Sequence, residues 1–252
     1  MFGSQKDKSQ YLYHYTKAET AINFILKDKT LKFSKFHTTN DPRESKNWFF
    51  IPGTNENRDL SKYSPEYLSQ IMNPRIKTTT HLLCFSMDKE LTGQHLIDTP
   101  NRGFCKPRMW AQYGGNHTGV CLIFDIKSLT KEIRSNLNNK DWQANPVVYC
   151  GAKLFTSQSL TAFIVNIDKL EEWGEENYVS SHGQKFKDRL FFEKASDWEN
   201  ENEYGWVLFD SKEEIYLKYK NALKGIMFGE YCSEETINKI VSLTKNDGIR
   251  FQ

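Results

Sequence analysis

The chain has 252 residues, of which 38% are hydrophobic and 14% aromatic, and its 34 basic and 32 acidic side chains leave a formal net charge of +2. This composition provides for a sizeable core, excludes a disordered chain and gives no global basic field of the kind that announces nucleic acid. Five cysteines without a close pair or a zinc-type spacing, no apolar leader in residues 1–8 and no run of membrane-spanning length point to a reduced, metal-free, cytoplasmic protein with no membrane partner.

The first stretch, YLYHYT at 11–16, is built from strand formers and runs straight into a helical pattern. Ala18, Ala21, Ile22, Ile25 and Leu26 recur on one helix face, and Thr16 with Glu19 three residues on reads as a capping box. His14 is thereby expected at a strand end beside a helix N-terminus. There it is either a plain strand-end residue or a group that meets a bound ligand. Residues 31–36 read as a short strand. The Asn40-Asp41-Pro42 turn that follows presents Arg43, which either closes a tight loop or grips a phosphate. Ser64 and Pro65 open a helix expected to run through Met72.

Residues 78–86 are β-rich and apolar, a buried strand by type, and 87–108 read as a long irregular loop, a lid or binding loop. A short helix over 108–113 stops at Gly114 and carries Met109, Trp110 and Tyr113, side chains that serve a core or a ligand. Residues 119–125 form a nearly continuous apolar strand, hence a central one, and Asp125 caps the next helix. A strand over 146–151 precedes two helical pieces over 157–194, separated by an acidic run from Glu171 to Glu176. Glu199, Glu201 and Glu203 then alternate into a strand expected to put all three on one face, as a solvated edge or as a ligand-facing cluster. Residues 224–229 give one more strand, Ser233 caps a last helix, and 249–251 add an edge strand. No repeat or linker divides the chain, so residues 1–252 read as a single domain.

Seven pieces in order, LYHYT (12–16), NDPRE (40–44), CFS (84–86), MWAQYG (109–114), GVCLIFD (119–125), WENENE (198–203) and IMFG (226–229), resemble a bacterial domain-of-unknown-function family, number 2971, over nearly the whole chain. One departure stands out: the family usually carries arginine two residues after the last glutamate, where this chain has Gly205. The family is in turn similar to the ADP-ribosyltransferase fold. That likeness implies an α+β domain with two small, mostly antiparallel β-sheets packed roughly perpendicular, flanking helices, and a cleft for NAD⁺ used as a substrate. By the same likeness His14, with Tyr15 and Thr16, holds the adenosine-side ribose, and Phe85 with Ser86, or Trp110 and Tyr113, supplies the aromatic wall for nicotinamide. Arg43 or Arg108 meets the pyrophosphate. Glu203 and Glu201, with His14, form the catalytic set, so His14 and Glu203 are expected close together.

The implied activity is an NAD-dependent ADP-ribosyltransferase that modifies RNA or another nucleic acid, or else a protein. Its setting is a bacterial toxin or phage-defence effector with an antitoxin partner. Two readings compete: a non-catalytic nucleotide or nucleic-acid binding module on the same fold, and a toxin component that acts only through a partner protein. A cysteine-nucleophile enzyme has little behind it, because Cys84 and Cys105 have no recognisable His/Asp frame.

Overall fold

The computed structural model describes residues 10–151 and 160–252. The strands in chain order are β1 (Tyr11–Thr16), β2 (Thr30–Lys35), β3 (Ile51–Gly53), β4 (His81–Met87), β5 (Val120–Asp125), β6 (Trp142–Pro146), β7 (Val148–Cys150), β8 (Ile164–Asn166), β9 (Glu193–Ala195), β10 (Glu203–Leu208), β11 (Ile215–Lys218), β12 (Leu223–Phe228) and β13 (Arg250–Phe251). Helices lie between and around them, and the class is α+β.

The two perpendicular sheets of the expectation are replaced by one branched sheet. Its main path is β11-β2-β4-β1-β5-β12-β13, with β10 on β4 and β6 on β10. β4 is the branch. β10 pairs with it along residues 81–86, which occupies one whole edge. β1 and β2 therefore share the other edge: β1 holds Ser86 and Met87, and β2 holds His81 and Leu82. Between them Leu83, Cys84 and Phe85 have no strand partner on that edge among the described residues, and the sheet opens there. The pairs β3–β8 and β7–β9 are separate parallel ribbons.

Strand parity sorts the core. Leu12, Phe33, Phe85, Leu122, Phe124 and Trp206 belong to one continuous cluster on one face, beneath the helices Ala21–Leu26, Ile126–Asn136 and Glu234–Thr244. The opposite face carries two clusters. One is built on Phe36, Trp48, Phe50 and Phe191 beside the Pro65–Lys77 helix, the other on Tyr13, Tyr15, Trp110 and Ile123. The gap between these two clusters lies over the opening in the sheet.

Local chemistry sets most boundaries. Asp41 Oδ1 accepts from Arg43 N (2.8 Å) with Pro42 at the first helical position, Ser64 Oγ accepts from Tyr67 N (3.2 Å), and Asp125 Oδ1 accepts from Ser128 N (2.8 Å). The Thr16 capping box does not form. Thr16 is still in β1, paired with Val120, and Lys17 takes the cap position without a side-chain bond. The helix behind it runs only from Ala18 to Thr20 before widening into a π-helix over Ala21–Leu26. The second helical piece ends earlier than expected, because residues 193–195 pair with 148–150 as a ribbon. The start of the first piece, residues 157–159, lies outside the described residues. The 87–108 loop contains the short helix His95–Asp98.

Candidate active site

The acidic stretch departs from the strand it was expected to form. Ser196–Glu201 is a 3₁₀ turn, Asn202 is left-handed at φ 44°, and β10 begins only at Glu203. Asparagine tolerates that conformation because its short polar side chain bonds locally. Here its Nδ2 donates to the carbonyls of Met87 (3.1 Å) and Asp88 (3.0 Å), tying the turn to the end of β4. Glu199 is left exposed on the turn, while Glu201 and Glu203 are buried on either side of Asn202.

Both carboxylates line a cavity of about 490 Å³ at the opening of the sheet, and His14, Phe85, Ser86 and Tyr113 line it too. Glu203 Oε1 accepts from Lys194 Nζ at 3.0 Å and Oε2 from the Tyr149 hydroxyl at 3.3 Å, while Glu203 N donates back to that hydroxyl at 2.9 Å. Lys194 Nζ also lies 3.1 Å from Glu44 Oε1. Burial opposes the charge on Lys194, yet Glu44 and Glu203 hold its pKa well above the ordinary lysine value. Burial raises the pKa of Glu44, and Lys194 works against that rise.

Glu201 has a different environment. Its carbonyl accepts from Ser86 Oγ and Lys106 Nζ, both at 2.8 Å, and its Oε1 faces the Tyr113 hydroxyl at 3.4 Å. That hydroxyl in turn accepts from Asn40 Nδ2 (2.8 Å) and Gln112 Nε2 (3.2 Å). Burial, and then the charge of Glu203, push Glu201 up to about 7, which suits proton transfer near neutrality.

His14 enters the cavity through the gap in the sheet. Its Nδ1 faces the carbonyl of Cys84 at 3.4 Å, which assigns the proton to Nδ1 and leaves Nε2 as an acceptor. Burial holds its pKa below the ordinary histidine value. Its ring centroid is 5.5 Å from that of Phe85. By parity His14 belongs to the opposite face from Glu203: Tyr13, Ser86 and Glu203 form one row across β1, β4 and β10. The two residues share the cavity because the sheet is open between them, and their side chains do not lie in one row.

The remaining expected residues divide. Tyr15 lines the cavity, but its hydroxyl donates to Gly103 O at 2.6 Å. Phe85 is buried against Phe124 and Trp206, so only part of it forms cavity wall. Thr16 is buried in β1 and does not reach the cavity. Trp110 is core: it packs edge-on against Tyr15 at 5.1 Å and donates to Phe104 O at 2.8 Å. Arg43 is no phosphate clamp, because its guanidinium is spent on the carbonyls of Glu193 and Arg189. Arg108 donates to Asp197 O at 2.7 Å and lies over the Trp198 ring at 5.0 Å, beside the turn that carries Glu201. Gly205 is buried, and a Cβ there would meet Cys84 Sγ at 3.7 Å and Phe192 at 3.8 Å. Sequence reasoning missed Lys194, Tyr149, Lys106 and the role of Glu44. The only signal for any of them was the acidic end of NDPRE.

Residues 109–204 match the model of a family described as protein of unknown function, DUF2971. Over this stretch the chain is similar to the DUF2971 family. The DUF2971 segment carries Tyr113, Tyr149, Lys194, Glu201 and Glu203, while His14 and Glu44 come from the part of the chain before it. No curated protein and no solved structure matches the chain.

Proposed function

We propose that the protein is an NAD-dependent ADP-ribosyltransferase that modifies a macromolecule. The observation that supports this best is the convergence of His14, Tyr113, Glu201 and Glu203, from three distant parts of the chain, on one cavity of about 490 Å³, a size that suits a nucleotide-sized ligand.

Each side chain has a role that its surroundings allow. Cleavage breaks the bond between ribose C1′ and the nicotinamide nitrogen. The electron pair leaves with neutral nicotinamide, and positive charge develops on the ribose. Glu203, fixed by Lys194 and Tyr149, accepts a hydrogen bond from the ribose 2′-hydroxyl and stabilises that charge. An acceptor nucleophile then bonds to C1′, and its proton passes to Glu201, whose pKa of about 7 suits the task. His14, neutral with Nε2 open as an acceptor, takes a hydroxyl of the adenosine-side ribose. Tyr113 closes the wall beside Glu201.

RNA or another nucleic acid is the favoured acceptor, ahead of protein. Arg108 stacked over Trp198, next to the Glu201 turn, is a planar platform of the kind on which unpaired bases stack. An activity of this type inside the producing cell needs restraint, so the setting is a cytoplasmic toxin or phage-defence effector with an antitoxin partner. Among the described residues no helix is long and apolar enough to cross a membrane.

The competing reading, a non-catalytic binding module, draws on the direct pairing of Glu203 with Lys194. The test is incubation with ³²P-labelled NAD⁺ and separated cellular RNA, DNA and protein. Label carried covalently by RNA is the expected result. Label on protein alone replaces the acceptor, and tight NAD⁺ binding with no label on any fraction favours the binding module.

A further inference from the structure

Three buried charged groups from distant parts of the chain meet at the floor of the cavity. Glu44 comes from the Pro42–Ser45 helix, Lys194 from the centre of β9 and Glu203 from the start of β10. The side chains of Lys194, Glu44 and Glu203 are 8%, 8% and 6% exposed. The β7–β9 ribbon sets Lys194 opposite Tyr149, so one ribbon delivers both partners of the Glu203 carboxylate.

Burying such a group is costly, and an apolar trio of the same volume would stabilise the fold as well or better. Its value therefore lies elsewhere. A lone Lys–Glu pair would hold Glu203 in place and also cancel its charge. Two carboxylates on one ammonium hold Glu203 and leave one negative charge over. We propose that Lys194 is a positioning residue for Glu203, and that Glu44 keeps the group of three at one net negative charge, so that the cavity prefers a cationic ring to a neutral one. The inference deepens the transferase reading and rests on it for the role of Glu203, because the ring of NAD⁺ is cationic before cleavage and neutral after it.

The test uses two probes, 1-methylnicotinamide, a pyridinium cation methylated on the ring nitrogen, and neutral nicotinamide. Binding of each is measured by calorimetry at pH 6, below the pKa of about 7 of Glu201, so that this neighbouring carboxyl is mostly uncharged and does not mask the group of three, and nicotinamide release from NAD⁺ is measured at pH 8. Glu44→Gln keeps the shape and the carbonyl acceptor for Lys194 and removes one charge. In the double variant Glu44→Gln, Lys194→Met, Glu203 is the only charged member of the three. The wild type is expected to bind the cation about tenfold or more tightly than the neutral ring. Glu44→Gln, folded by circular dichroism, is expected to lose that preference and to lower kcat more than it raises KM. The double variant is expected to regain the preference without regaining kcat, because Glu203 is no longer held. A wild type with no preference, or a Glu44→Gln protein that keeps both preference and kcat, overturns the inference. Absence of nicotinamide release in the wild type overturns the transferase reading instead, and the probe preference still decides this one.

Discussion

Replacing Glu201 by glutamine should stabilise the protein, and by an amount that depends on pH. Glu201 is 2% exposed, and its pKa is raised from the ordinary 4.5 to about 7, first by burial and then by Glu203. A raised carboxylate stabilises the fold fully below 4.5, and that contribution is lost as pH rises through 7, because the native state must then ionise a buried group. The difference of about 2.5 pH units corresponds to roughly 3 kcal/mol at about 1.4 kcal/mol each, an upper figure because neighbouring charges adjust when Glu201 ionises. Glutamine has the same shape and keeps an oxygen for the Tyr113 hydroxyl. Glu201→Gln should therefore match the wild type near pH 4.5, gain stability progressively, and level off about 2–3 kcal/mol ahead above pH 7.5. Urea unfolding of the two proteins in parallel from pH 4.5 to 8.5 measures this, and the difference at each pH cancels the titrating groups remote from Glu201. A difference that is flat with pH, or that falls as pH rises, would refute the reasoning.

Other consequences follow from the same geometry. His81 and His182 are buried, and burial lowers both pKa values from 6.5, so the stability they contribute is complete above pH 6.5 and is lost as pH falls below it. Tm scans from pH 8 to 5 should fall below 6.5, and His81→Leu should flatten the slope; an unchanged slope counts against the assignment. A Cβ at Gly119 would lie 2.3 Å from Thr16 O and 2.7 Å from Gly114 O, both backbone, so Gly119→Ala should cost about 2–3 kcal/mol in chemical denaturation. Arg43→Lys gives up the planar fork that reaches two carbonyls. It should lower stability by about 1–2 kcal/mol and leave KM for NAD⁺ unchanged, whereas a raised KM would return Arg43 to the site.

Sequence reasoning succeeded where local chemistry decides. Residues 120–124 are apolar throughout, and their strand, β5, lies centrally between β1 and β12. Asp125, Ser64 and Ser233 cap helices as side-chain acceptors. It failed where a neighbour overrides pattern. WENENE alternates like a strand, but the left-handed Asn202, held to the end of β4, turns the chain there and buries only two of the three glutamates. Thr16 looked like a cap until pairing with Val120 kept it in the strand. Lys194 lay in a stretch with helical spacing, and only the ribbon with Tyr149 reveals it as the partner of Glu203. The cavity could not be foreseen either. It depends on β1 and β2 sharing one edge of β4, a long-range fact that no local motif carries.

The most direct test of the central claim is nicotinamide release from NAD⁺ by the purified protein, wild type against Glu203→Gln, with cellular RNA present. The account predicts release by the wild type and a loss of roughly a hundredfold or more in the variant, with NAD⁺ binding retained. Equal release by both proteins would contradict the role given to Glu203, and no release or NAD⁺ binding by the wild type would contradict the account as a whole.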